Sequence, residues 1–177
     1  ENNPDIDVRI KAVDDEVSSL TDDVDVAIYY GMGNWPGVRA DKLRNEVLIP
    51  VCSPMLLNGP KPLEKPADLK NHTLLHDSSR HDWQAWFRQC GINDINVNQG
   101  PIFSHSSLVL QAAAHGQGVA LGYSVLARPD IKAGRLVCPF PEVLVSKDAY
   151  YLVCQQNHAD VGKIAAFRQW MLDMFEE

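Results

Sequence analysis

Apolar and polar positions alternate along this chain in short strand-like runs separated by helical stretches. Residues 7–13 (DVRIKAV) alternate with the two-residue period of a strand. Residues 24–30 (VDVAIYY) are β-branched and aromatic almost throughout, as in a strand covered on both faces. Further runs of strand length lie at 47–51, 72–76, 101–103, 119–121, 136–138, 143–145 and 149–154. Pro50 marks the first of these as an edge or a special position. Helical spacing appears where Trp83, Trp86 and Phe87 fall at i, i+3 and i+4, and again along 160–175 through Ile164, Phe167, Trp170, Met171 and Met174. Asp14 or Asp15 can cap a short helix to Leu20. One helical turn starts at Pro66, and a brief helix over 124–127 is stopped by Pro129. Strands alternating with helices predict an α/β protein with mostly parallel sheets. The proline-rich stretch from Pro50 to Pro66 and the strand at 149–154 read as two crossings between lobes. One lobe is then 1–51 plus 153–177, and the other 52–152.

The stretch 100–122 combines strand, turn, helix, turn and strand. Ser104, Ser106 and Ser107 crowd the turn, His105 lies among them, and Ala112–Ala114 favour helix strongly. Gly116 and Gly118 end that helix. Its start offers free backbone N–H groups and the positive end of a helix dipole, a seat for a carboxylate or phosphate. Simple capping by Ser104 or Ser106 is the alternative. In α/β folds ligands bind outside the carboxyl ends of strands, so a helix start following a strand faces that crevice.

Composition narrows the partners. The 177 residues suffice for one large or two small domains, and 16 basic against 23 acidic residues give a net charge of −7. Phosphate contacts need a basic face, so nucleic-acid binding by this piece is disfavoured. No apolar run approaches the roughly 18 residues of a membrane span. The start lacks the basic and apolar segments of a signal peptide, and the missing initiator Met reads as a piece of a longer chain. Cys52, Cys90, Cys138 and Cys154 lie far apart without a CxxC, which points to buried free thiols in a reducing, cytoplasmic compartment; one or two disulfides are the alternative.

No nucleophile elbow, zinc-protease helix, Walker loop or dinucleotide fingerprint occurs. His72, His76, His81 and His105 with Asp77 and Asp82 form a cluster whose structural reading outweighs a metal site. A Ser106–His105–Asp77 trio is disfavoured because adjacent side chains diverge. The Trp83, Trp86 and Phe87 stripe reads as core. No catalytic set, metal or cofactor is expected, and what remains is a two-lobed binding module.

Several runs carry a resemblance: DVAIYYGMGNWPG from Asp25, LIPVCSP from Leu48, HTLLHDSSRHDWQ from His72, QGPIFSHS from Gln99, HGQGVAL from His115, GRLVCPF from Gly134 and GKIAAFRQW from Gly162. Together they resemble the effector-binding domain of LysR-type transcriptional regulators over essentially the whole chain. Within that family they look like the regulators of the glycine cleavage operon, with the regulators of β-lactamase expression, which sense cell-wall fragments, as a neighbouring alternative. A solute-binding transport protein is the alternative outside it.

The resemblance implies a periplasmic-binding-protein-like (type II) fold, with a small-molecule effector, an amino acid or other carboxylate, between two lobes. It implies a homodimer or homotetramer, and DNA contact only through an N-terminal domain absent from this chain. The strand and helix with which family effector domains open are also missing before Asn3, which predicts a gapped or rearranged first-lobe sheet, or one completed by a neighbouring chain. Effector contacts carried over by position fall at Ser104, His105 and Ser106, at Asp77 and Ser78, and at Gly122 and Tyr123. Tyr30, Gly31 and Tyr150 or Tyr151 complete the set. The helix 108–114 would lie at the dimer face.

Overall fold

A computed structural model describes residues 6–11 and 24–176. The chain divides into two compact units, Glu1–Asn45 with Lys147–Glu177 and Glu46–Ser146. The sequence breakpoints lie six residues further along each time. Both observed breaks fall inside long strands, β2 (Val38–Val51) and β6 (Leu144–Gln155), so composition carries no marker there. The helix expected from Asp14 to Leu20 lies outside the described residues. Residues 7–11 carry no strand, and Val8 and Ile10 of that run are exposed.

Unit 1 contains β1 (Ala27–Gly31), the first part of β2, the second part of β6, and helix α5 (Gly162–Glu176). β1 runs antiparallel to β6 with Tyr29 opposite Tyr151 and Tyr30 opposite Tyr150, and β6 is flanked on its other side by β2. Leu43, Leu152 and Met171 form one small core, and Cys154, Ala159 and Ile164 another. Arg168 of α5, only 7% exposed, reaches Asp41 of β2 through Nε (2.9 Å) and Nη2 (2.7 Å), and donates through Nη1 to the Ala159 carbonyl (2.8 Å).

Unit 2 begins with the rest of β2. It continues through α1 (Pro54–Leu57), a 3-10 turn (Pro66–Asn71), β3 (Leu74–Asp77), α2 (His81–Gln89), β4 (Ile102–Phe103), α3 (Ser106–Ala114), β5 (Val119–Tyr123) and α4 (Ser124–Lys132). Its strand order is β2-β5-β3-β4, with β3 parallel to both β4 and β5 and β2 antiparallel to β5. The sheet is therefore mixed rather than mostly parallel: the parallel part is the β3–β4–β5 set, and the long crossing strands supply the antiparallel pairs. Trp83, Trp86 and Phe87 are at most 2% exposed and pack with Leu69, Leu74 and Phe140, as helical spacing predicted. Leu75, Val109, Leu110, Ala113 and Leu136 pack on the opposite face.

Pro50 pairs with Leu121 of β5, and within unit 2 its strand, β2, stands at the end of the strand order. Other expectations change. The runs at 143–145 and 149–154 are one strand, β6, because alternation continues through Ser146, Lys147 and Asp148. The run at 136–138 makes only an isolated bridge, Val137 to Cys52. Pro129 does not stop α4: it sits inside the helix, and its carbonyl still accepts from Ala133 N–H at 3.0 Å. All four cysteines are free; Cys52 and Cys154 are buried, whereas Cys138 is exposed.

Candidate functional site

Because β4 and β5 both run parallel to β3, their carboxyl ends lie at one end of the unit 2 sheet. That end collects Asp77 and Ser78 after β3, Ser104 to Ser106 after β4, and Tyr123 and Ser124 after β5. Three helices start there, α2 after β3, α3 after β4 and α4 after β5, and their starts differ. At α2, Ser79 Oγ accepts from His81 N–H (3.3 Å). At α4, the fully buried Glu46 of β2 accepts from Ser124 N–H (3.1 Å) and Ser124 Oγ (2.6 Å), while also taking Val47 N–H (2.8 Å). A carboxylate of the protein already fills that helix start. At α3 the first residue is preceded by His105 in extended conformation, and no side chain caps the helix.

Capping by Ser104 or Ser106 is thus not what the serines do. Ser104 Oγ meets His105 Nδ1 at 2.8 Å, and Ser106 lies inside the helix, donating its hydroxyl to Asp77 Oδ2. Ser78 Oγ donates to the other carboxylate oxygen of Asp77 at 3.2 Å. Two hydroxyl protons are therefore committed to one carboxylate, and both serine oxygens present only lone pairs outward. Ser78 itself adopts a positive φ of 55°, uncommon for a residue with a Cβ. Ser104, His105 and Ser78 are exposed, and Asp77 and Ser106 are half-buried.

Asp82, in the first turn of α2, has its pKa raised by burial and then by the nearby Asp77 charge. Gly122 is a packing position: a Cβ there would come 2.7 Å from Leu110 and 3.3 Å from Val51. Tyr123 is half-buried against the Trp83 core. The four histidines do not gather. His72 precedes β3 and meets the Pro62 carbonyl (3.1 Å), whereas His76 lies in β3 and meets the Gln99 carbonyl (2.8 Å). Among the described residues no three His, Cys, Asp or Glu side chains come together as a metal site.

In unit 1, strand alternation separates the tyrosines into two pairs. Tyr30 and Tyr150 approach on one face, with ring centroids 5.1 Å apart. Tyr29 and Tyr151 share the other face with Trp35, whose ring is 6.0 Å from Tyr29 and 5.5 Å from Tyr151. Tyr151 is occupied by the loop after β1: its hydroxyl donates to the Met32 carbonyl (3.3 Å), and a Cβ at Gly33 would lie 2.4 Å from its ring. Gly31 is likewise a seat for Trp35, at 2.9 Å from a Cβ placed there.

Sequence reasoning missed Glu46, whose neighbours Arg44 and Asn45 make it read as part of a solvated strand. Only its place directly before an apolar run hinted at burial.

The family profile of the LysR substrate binding domain matches residues 1–176. The chain belongs to the LysR substrate-binding domain family, the effector domains of LysR-type transcriptional regulators. It is 67% identical over 169 residues to the glycine cleavage system transcriptional activator of Escherichia coli K12, covering 96% of this chain and 55% of that protein. It is 40% identical over 174 residues to the glycine cleavage system transcriptional activator homolog of Haemophilus influenzae, covering 98% and 58% respectively. The chain thus spans little more than half the length of these relatives. Among solved structures, the effector domain of the transcriptional regulator AmpR of Pseudomonas aeruginosa matches with a TM-score of 0.74 at 30% identity, over 86% of this chain and 73% of that one. Among the described residues no helix is long and apolar enough to cross a membrane.

Proposed function

We propose that this domain senses a small molecule carrying both a carboxylate and a hydrogen-bond donor, an amino acid being the simplest fit, and that it does so for a regulator of the glycine cleavage operon. The uncapped start of α3 is the observation that carries the reading. Its N–H groups and dipole suit a carboxylate, while the adjacent Asp77–Ser106 pair, with its hydroxyl proton already committed, suits an ammonium. Glu46 fills the α4 start and Ser79 Oγ takes the first N–H of α2, so the α3 start is the best seat of the three for an anion. Tyr123 is a further contact in unit 2. Tyr30 and Tyr150 are the candidate contacts of unit 1, and Tyr151, Gly31 and Gly122 are read as supports for them.

The full-length protein would bind DNA through a separate N-terminal domain, act as a homodimer or homotetramer in the cytoplasm, and sense rather than catalyse. The 67% identity to the glycine cleavage activator favours this operon over β-lactamase regulation, whose relatives named AmpR stand at 31–33%. A thermal-shift and calorimetric screen of glycine, other amino acids, purines and muropeptides tests it. A ligand at 100-fold its Kd adds about 2.7 kcal/mol to stability. An amino acid should give that gain in the unaltered protein and lose it in Ser106→Ala. Stabilisation by muropeptides alone, or undiminished amino-acid binding by Ser106→Ala, sinks the reading.

A further inference from the structure

Residues 76–80 hold the stretch 99–106 at five points. His76 N–H donates to the Pro101 carbonyl (3.0 Å) and Ser78 N–H to the Phe103 carbonyl (2.8 Å). His76 Nε2 donates to the Gln99 carbonyl (2.8 Å) and Arg80 Nη2 to the Gly100 carbonyl (3.2 Å). Asp77 takes the Ser106 hydroxyl. β4 is only two residues long and pairs with β3 alone, so its own ladder fixes it weakly. The two side-chain bonds grip successive carbonyls immediately before it. Gly100 lets the chain come this close: its φ is +98°, and a Cβ would stand 2.0 Å from the Leu74 carbonyl oxygen.

We infer that His76 and Arg80 are positioning residues of the effector site: by holding the carbonyls of Gln99 and Gly100 they set where β4 ends, and with it where Ser104, Ser106 and the first N–H groups of α3 stand relative to Asp77. This rests on reading the α3 start as the effector contact. The grip has a defined chemistry. A carbonyl oxygen only accepts, so Nε2 carries the ring proton and Nδ1 is bare. His76 is 1% exposed and its Nδ1 has no partner among the described residues. Burial chiefly, and then the Arg80 charge, lowers its pKa against the opposing effect of the Gln99 bond.

The test uses the full-length protein with His76→Leu, His76→Gln, Arg80→Met and Arg80→Lys. Glycine binding is read by calorimetry, and backbone exchange by mass spectrometry on peptides covering 74–80 and 99–110, with peptides from β1 and β6 as references. Leu and Met variants should weaken glycine binding and speed exchange in the two target peptides, each at least about ten-fold, with the reference peptides unchanged. Gln and Lys, which keep an N–H donor, should recover most of both. Uniformly faster exchange everywhere, unchanged exchange in the target peptides, or a Gln variant no better than Leu overturns the proposal. Absence of glycine binding by the unaltered protein counts against the ligand reading alone, and the exchange pattern then decides the grip.

Discussion

At the scale of single residues, the informative side chains are those whose protons or charges are already spoken for. Arg168 is the plainest case. It is buried and shares both Nε and Nη2 with one oxygen of Asp41. Arg168→Met leaves Asp41 with Arg39, whose Nε meets its other oxygen at 3.2 Å, but without the buried guanidinium, and should destabilise unit 1 by about 1.5–3 kcal/mol, read from urea denaturation. His76 gives a pH dependence. Its folded pKa lies below the ordinary 6.5, so as pH falls the unfolded chain takes up the proton first. Its contribution to stability is complete above about pH 6.5 and is lost as pH falls toward the folded value. The groups acting on it are Arg80, which disfavours protonation, and the Gln99 carbonyl, which favours it. Urea midpoints at about pH 7.5 and about pH 5.5 should therefore differ more for the unaltered protein than for His76→Gln. Ser106 and Asp77 were both legible in the sequence as candidates, but their bond was not: they lie 29 positions apart, and the parallel pairing of β3 and β4 brings the two together.

At the scale of elements, legibility followed hydrophobic contrast. α2 and α5 were readable because their apolar stripes have helical spacing, and β3 and β5 because they are short apolar runs. Most of β2 was not. Its residues 38–46 carry five charges, Arg39, Lys42 and Arg44 against Asp41 and Glu46, around a single buried apolar side chain, Leu43, so the local signal is that of a loop. β6 was split in two for the same reason, at Ser146, Lys147 and Asp148. α4 was cut short by trusting Pro129, although a proline removes one bond and the helix resumes around it. Glycines test the elements most directly. Gly100→Ala forces a Cβ against the Leu74 carbonyl at a positive φ, and should cost well over about 1 kcal/mol while loosening β4, measured by thermal unfolding and by exchange at Ser78. Gly37→Ala, with φ +77° but nothing within 4 Å of its Cβ, should cost only the backbone strain, about 1 kcal/mol.

At the scale of the whole molecule, the two compact units are divided inside β2 and β6, where continuous strands leave no compositional trace. Family membership came from combined motifs spread over the chain, and the profile match over residues 1–176 agrees with that breadth. The sheet's mixed character was missed because alternation predicts strands without predicting direction. The candidate effector contacts are the least legible part: most are polar residues at element ends, where capping, packing and recognition use the same amino acids. Gly31, Gly122 and Tyr151 show the ambiguity, since all three are taken up by neighbours in their own unit.

The occupied start of α4 has a consequence for selectivity. Glu46 acts as a built-in competitor, an internal anion that leaves inorganic phosphate and sulfate nothing to bind at that helix. Glu46→Ser would keep the strand but evict the competitor, and the domain's melting temperature should then climb with phosphate concentration, whereas the unaltered protein's should stay level.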